Sequence, residues 1–309
     1  MKILKPNFWN KKNNLISYFL LPISFIYQIL FFLKKKFTFE LSFKIPVICL
    51  GNIYIGGTGK TPLSILIAEE LILKKKKPAI IKKYYPEHID EHDLIKQKLN
   101  CLFLGKRRVK ALKEAINNQC DFAILDDGFQ DYSIKKNLNI LCFNSRQLIG
   151  NGMIIPSGPL RENFNSIKKA EIIIINGNKN KDFENMVKSI SKKVKIFYSK
   201  YVPTNIKDFK DKNLFAFAGI GNPSNFFELL KDNQLRIKKK IEFPDHYKFN
   251  KIEIKKMIDL ATKENLQLIT TEKDFFRIKK YQFKNINFLS LRLEIEKKDE
   301  LIKDILNQQ

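Results

Sequence analysis

The chain has 309 residues, 44% of them hydrophobic and 12% aromatic, which is enough for one large or two ordinary domains with an ample core. Lys and Arg number 57 against 32 Asp and Glu, but the cations are mostly lysines strung along the whole chain, not one arginine-rich, aromatic-interleaved tract. That pattern argues against a nucleic-acid binder and reads as solvated faces, with some attraction to an anionic membrane surface near the N-terminus.

The first element is an uncharged run, residues 15–33, flanked by Lys11, Lys12 and Lys34 to Lys36. Its length borders on a membrane span. Pro22, Ser17, Ser24 and Gln28 weaken a full span, so a helix or helical hairpin lying in the membrane surface fits at least as well as spanning, and a helix buried in the core is the third reading. From residue 44 short apolar runs alternate with amphipathic stretches: strands over 46–51, 78–81, 101–104, 122–125, 139–143 and 172–175, helices over 62–73 and 108–117. The theme resumes with strands at 214–219 and 267–271 and helices at 223–230 and 251–264. Strands separated by helices predict an α/β fold with a mostly parallel sheet covered on both faces. The expected organisation is an N-terminal membrane-associated segment (1–40), a phosphate-loop core (41–200) and a smaller α/β domain (201–309), divided near 200–212. Cys49 and Cys142 fall in the predicted buried strands, and no C-x-x-C spacing or histidine-rich pattern suggests a zinc site.

The chemistry begins in the loop after the first core strand. Tyr54, Ile55, Gly56, Gly57, Thr58, Gly59, Lys60 and Thr61 lead into an apolar helical stretch. Glycines let backbone N–H groups turn around a phosphate chain, the lysine meets the β/γ-phosphates, and the threonine hydroxyl can ligate Mg²⁺. The usual pattern has a glycine where Tyr54 stands. A second signal is the strand 122–125 running into Asp126-Asp127-Gly128-Phe129-Gln130. An apolar strand ending in aspartates is how a phosphate-loop enzyme offers a carboxylate to Mg²⁺, and parallel strands collect ligands at their carboxyl ends. A plain Asp-Asp-Gly turn is the alternative.

Together GNIYIGGTGKTP, DDGFQ and NGMIIPSGPLRE resemble the tetraacyldisaccharide 4′-kinase family. FAGIGNP, FPDHYKF and TTEKD continue the resemblance in order, over nearly the whole chain. It implies a P-loop NTPase-type core, a second α/β domain joined by a β-ribbon hinge, and an N-terminal membrane-associated helix. It also implies transfer of the γ-phosphate of ATP, with Mg²⁺, to the 4′-hydroxyl of a tetraacylated glucosamine disaccharide 1-phosphate at the cytoplasmic face of the inner membrane. By resemblance, Lys60 contacts the β/γ-phosphates, and Thr61 with Asp126, alongside Asp127 and Glu91, serves the metal. Lys83, Tyr85, Arg108, Gln130 and Arg161 line the substrate or transferred phosphate, with packing or a phosphate-free salt bridge the alternative for Arg108. Asp90, in a polar acidic loop with Glu87, Glu91 and Asp93, would deprotonate the sugar hydroxyl with help from His246. The sequence departs from the family at Lys82-Lys83-Tyr84-Tyr85, where Ser-Arg-Gly-Tyr is usual, and at Asp131, where a histidine is usual. A nucleotide-switch protein that binds partners without phosphorylating lipid is the other reading, since Thr271-Glu-Lys-Asp274 superficially offers a guanine-reading segment.

Overall fold

The computed structural model describes residues 6–56, 58–86, 89–245 and 247–308, and of Asp90 the backbone alone. After a short 3₁₀ turn at Asn7–Asn10 come α1 (Leu15–Phe19) and α2 (Leu21–Lys36). The expected single apolar run is therefore broken at Leu20. Asn14 caps α1 by accepting the Ile16 N–H at 3.0 Å, and Pro22 sits in the first turn of α2, where its missing N–H costs nothing. Among the described residues no helix is long and apolar enough to cross a membrane.

The chain then builds two compact units. The larger, Lys5–Tyr84 with Leu99–Lys200 and Leu293–Gln309, is a sheet with helices. Its elements are β1 (Val47–Gly51), α3 (Lys60–Leu73), β2 (Pro78–Lys83), β3 (Leu102–Gly105), α5 (Arg108–Asn117), β4 (Phe122–Asp126), β5 (Leu138–Asn144), β6 (Ile172–Asn176), α6 (Lys181–Ile190) and α10 (Lys298–Leu306). Two long strands, β7 (Lys195–Pro203) and β12 (Leu291–Ile295), carry the chain between the units, so the boundary expected at 200–212 begins inside a strand. Strand order is β12-β7-β6-β5-β1-β4-β2-β3, with β1 through β7 in parallel pairs. Central strands buried on both faces read as continuous apolar runs instead of alternating ones, which is why Val47–Gly51 and Phe122–Asp126 are wholly buried. Cys49 and Cys142 lie within this core as free thiols, and burial pushes both up to about 12.

The smaller unit gathers Tyr85–Lys98 with Tyr201–Arg292. It holds α4 (Ile89–Lys98), β8 (Asn213–Ala218), α7 (Pro223–Asp232), β9 (Arg236–Glu242), α8 (Lys251–Lys263), β10 (Gln267–Thr271), α9 (Glu272–Ile278) and β11 (Asn287–Leu289). The parallel sheet runs β11-β10-β8-β9. The acidic stretch expected as a polar loop is helical from Ile89 onward. His92, Leu94 and Ile95 are buried, and α4 packs on α9 with ion pairs Glu91–Lys273 at 2.7 Å and Lys98–Glu272 at 3.4 Å. Packing of one face outweighs the poor intrinsic propensity of a charged, histidine-containing segment.

Candidate active site

β1 and β4 are neighbours in register, Leu50 against Asp126, so the loop after β1 and the aspartates after β4 emerge at the same sheet edge. Gly51 permits this: a Cβ there would stand 2.2 Å from the Phe129 Cβ, so only glycine lets the DDGFQ turn settle on β1. Within the loop, Gly56 (φ +70°) and Gly59 (φ +87°) take left-handed conformations, and Gly59 is the N-cap of α3. Gly57 lies outside the described residues. The other side chains hold the loop from beneath. Buried Asn52 donates through Nδ2 to the Tyr54 carbonyl and to Thr58 Oγ1 at 3.1 Å. Tyr54, at the unexpected position, packs its ring into the core with Ile53, Phe129 and Leu160, while its backbone bridges Leu160. The Ile55 N–H donates to the Pro159 carbonyl at 3.0 Å. Tyr54 is thus an anchor that spares a glycine: its side chain points into the core, leaving the loop's backbone to the other face.

At the start of α3, Thr61 Oγ1 donates to Asp126 Oδ2 at 3.0 Å. The same oxygen receives the Lys82 ammonium at 2.6 Å, a pair in which Lys82 is 5% and Asp126 0% exposed. Among the described residues Asp126 Oδ1 is buried with no hydrogen-bond partner. A carboxylate oxygen orphaned in this way, beside a threonine hydroxyl and at a strand end, has the chemistry of a divalent-cation ligand, so Thr61 and Asp126 fit Mg²⁺.

Asp127 adopts a left-handed conformation (φ 57°), which aspartate tolerates better than most residues, and so turns its carboxylate away from that of Asp126. Asp127 Oδ1 lies 3.4 Å from Lys60 Nζ and 3.0 Å from Arg161 Nη1, and Arg161 reaches Oδ2 at 3.1 Å. Burial disfavours ionisation of Asp127, but Lys60, Arg161 and Arg108 together outweigh it and hold the carboxyl well below the usual range. Two cations from different elements, the α3 start and the loop after residue 150, therefore converge on one anionic oxygen.

Arg108, expected near a phosphate, opens α5 and spends its guanidinium on the turn itself. Nη2 donates to the carbonyls of Asp126 at 3.2 Å and Asp127 at 2.8 Å, and Nη1 meets Asp131 Oδ2 at 3.3 Å. Asp131, at the position usual for histidine, is the partner that locks this buttress. Gln130 bridges the Asn52 carbonyl and Glu162 Oε1, each at 3.0 Å, and accepts from Arg161 at 3.4 Å. Lys83 is half-buried at the end of β2, and Tyr85 is exposed. Glu91 is in the smaller unit, paired to Lys273 at 2.7 Å. His246 and the Asp90 side chain lie outside the described residues, although the helical backbone of α4 includes Asp90.

Two participants escape a reading of motifs alone. Lys82 follows the apolar run of β2 as the first of two consecutive lysines, and nothing local marks it as buried. Glu162, at the end of Gly-Pro-Leu-Arg-Glu, is 6% exposed and accepts from Gln130, from Tyr132 OH at 3.1 Å and from Lys169 at 2.8 Å.

The guanine-reading alternative fails on Asp274. That side chain is fully buried, accepts the Gly219 N–H at 2.9 Å and the Thr271 hydroxyl at 2.7 Å, and pairs with Arg277 at 2.6 Å. The segment caps α9 and staples the Gly219 loop, leaving no oxygen for a base.

A glycine loop between a parallel strand and a helix, with a threonine tied to the aspartate of the adjacent strand, defines a P-loop-type α/β protein. The family model for tetraacyldisaccharide-1-P 4′-kinase matches residues 16–93 and 87–309. The chain is 43% identical to the tetraacyldisaccharide 4′-kinase of Pelagibacter ubique over 99% of its length and 98% of the relative's. It is 33% identical to that of Rickettsia typhi over 100% and 98%. The crystal structure of LpxK from Aquifex aeolicus in complex with ATP superposes with a TM-score of 0.73 at 23% identity, covering 95% of this chain and 99% of that one. The chain belongs to the tetraacyldisaccharide 4′-kinase family.

Proposed function

We propose that the chain transfers the γ-phosphate of ATP to the 4′-hydroxyl of a tetraacylated glucosamine disaccharide 1-phosphate at the cytoplasmic face of the inner membrane. Family membership names the reaction; the observation that carries it onto these residues is the convergence of Lys60 and Arg161 on Asp127 Oδ1, at 3.4 and 3.0 Å. The Asp127 carboxylate marks the point on which the two cations converge, and so where they can hold negative charge. Phosphoryl transfer needs positioning and charge stabilisation more than covalent help, and preorganised cations supply both. Arg161 can grip the transferred group with its planar fork while Lys60 acts as a point charge. Mg²⁺, when present, would neutralise phosphate charge from the place Thr61 and the orphaned Asp126 Oδ1 offer it. Asp90 remains the residue proposed to take the proton of the sugar hydroxyl, with help from His246, on resemblance.

The N-terminal helices support the membrane side of the reading through inverted polarity. Ser17 and Ser24 are buried: Ser24 Oγ donates to the Ile154 carbonyl at 2.9 Å, and Asn151 donates to Ser17 Oγ at 3.1 Å. Trp9 and Tyr27 donate to the carbonyls of Pro156 and Arg161. The apolar side chains face out instead, Phe19 at 84%, Phe25 at 64%, Leu30 at 62% and Phe32 at 61% exposed. A contiguous apolar face beside a lysine-rich last turn suits a lipid surface.

The test is a kinase assay with purified disaccharide 1-phosphate in detergent micelles and γ-labelled ATP. Wild type labels the acceptor and Lys60→Ala does not. A wild type that binds ATP yet never labels the acceptor sinks the assignment.

A further inference from the structure

Tyr132, just past the aspartate turn, is ringed by cations that the phosphotransfer chemistry does not use. The ammonium groups of Lys35 and Lys169 stand 5.3 Å from its ring centroid and that of Lys136 5.5 Å, while Phe31 meets it edge-on at 5.8 Å. Only one of the three is paired with a carboxylate among the described residues. Glu162 Oε2 takes Lys169 at 2.8 Å and the tyrosine hydroxyl at 3.1 Å, and its other oxygen is used by Gln130. Lys136 donates to the Phe129 carbonyl at 3.1 Å; among the described residues neither it nor Lys35 is paired with a carboxylate. Burial pushes the Lys136 amine down from its ordinary value; the Asp131 and Glu162 carboxylates push it back up, and Lys169 pushes it down. Three like charges gathered on one ring share two carboxylates, Glu162 and the more distant charge of Asp131, and an incoming dianion would offset the repulsion that is left.

The position narrows the ligand. Lys35 lies in the last turn of α2, next to the outward apolar face, so the cluster sits at the edge of the surface proposed to meet lipid. On its other side, Glu162 joins Gln130, which accepts from Arg161, the residue on Asp127. All of these residues belong to the larger unit. We propose that Lys35, Lys136 and Lys169 around Tyr132 form a phosphate-monoester site that takes the 1-phosphate of the glycolipid acceptor. The site then holds one end of the disaccharide while the other reaches the Lys60–Arg161 centre. This inference rests on the proposed kinase reaction. Compact lysine charges suit a phosphate monoester, and the aromatic wall keeps their stems extended toward it.

The experiment compares wild type with Lys35→Gln/Lys136→Gln on two acceptors, the disaccharide 1-phosphate and its 1-dephospho form, in the same neutral micelles. The expected result is an about 10- to 100-fold loss of kcat/KM on the 1-phosphate acceptor only, with the KM for ATP unchanged. A separate arm measures sedimentation with phosphatidylglycerol vesicles. Equal losses on both acceptors together with lost sedimentation would assign the cluster to an anionic lipid headgroup and overturn the proposal, as would no loss on either acceptor. Glucosamine 1-phosphate titrated against thermal unfolding reads the site without turnover. Protection of wild type that is absent in the variant supports the site even if the kinase reading fails, and no protection of wild type counts against it. Lys35→Gln alone, at an exposed position, repeats each arm should the double variant not fold.

Discussion

Replacing Lys82 by Met tests the energetic core of the site. The ammonium is 2.6 Å from Asp126 Oδ2, and both side chains are essentially inaccessible, 5% and 0% exposed. Methionine fills nearly the same volume, so the loss is electrostatic. It leaves Asp126 with the Thr61 hydroxyl at 3.0 Å as its remaining side-chain donor. Removing one member of a buried pair costs about 3–5 kcal/mol because the partner stays behind uncompensated. At roughly 2–4 °C per kcal/mol, unfolding of the nucleotide-free protein should move down by about 6–20 °C in calorimetry. Removing both charges, as Lys82→Met/Asp126→Asn, should cost less than Lys82→Met alone. Mg²⁺ with a non-hydrolysable ATP analogue should restore more stability to Lys82→Met than it adds to wild type, since the exposed debt of charge on Asp126 is what the cation would neutralise. A Lys82→Met cost below about 1 kcal/mol, the range of a surface pair, would refute the reasoning. So would a double variant whose cost is the sum of the single ones.

Arg161→Lys keeps a charge beside Asp127, which Arg161 meets through Nη1 alone, but loses the planar guanidinium that can grip a phosphate bidentately, and should lower kcat by about 10- to 100-fold with little change in ATP affinity; an unchanged kcat in steady-state assays would remove Arg161 from the transfer step. Phe25→Ser/Leu30→Ser strips two outward side chains, each worth about 1.5–3 kcal/mol when fully buried in lipid, and should cut vesicle sedimentation at least tenfold while leaving the unfolding temperature within a degree or two; retained sedimentation would detach these helices from the membrane. Asp127, held below the usual carboxylate range when folded, contributes stability that is fully present above the unfolded value of about 3.9 and is lost as pH falls through its lower folded value. The stability gap between wild type and Asp127→Asn should therefore stay constant from pH 7 to 5 and narrow toward pH 3 in denaturant titrations. A gap that narrows already between pH 7 and 5 would contradict the assigned depression.

The elements most legible in the sequence are those where burial and local signals coincide. The helix at Arg108–Asn117 and the strand at Gln267–Thr271 lie where apolar periodicity places them. The strand expected to stop at residue 81 continues to Lys83, because burial of Lys82 depends on a carboxylate 44 positions away that no local pattern reveals. Ile89–Lys98 reads as polar loop for a similar reason: its apolar residues are few, and what makes it a helix is α9. β7 and β9 carry lysines through their length, and sheet pairing overrides that composition. At the site, the phosphate loop, the Asp-Asp turn and Arg161 were visible as motifs. The division of labour between Asp126 and Asp127 was not, because it depends on the left-handed turn of the second aspartate. Arg108 could be read toward phosphate or toward packing and a salt bridge, and its described contacts, with backbone carbonyls and Asp131, are of the second kind.

The larger unit is interrupted by the smaller one, and its closing pieces are β12 and α10. α10 buries Leu301, Ile302 and Ile305 and ties Lys298 to Glu70 on α3, the helix that begins at Lys60. During synthesis, at about 5–20 residues per second, residues 201–292 emerge before 293–309 do. The smaller unit can thus gather first, while the phosphate-loop helix waits for its last neighbour. The timetable of translation itself then leaves the far end of that helix, at Glu70, without this neighbour until residues 298–306 have been made.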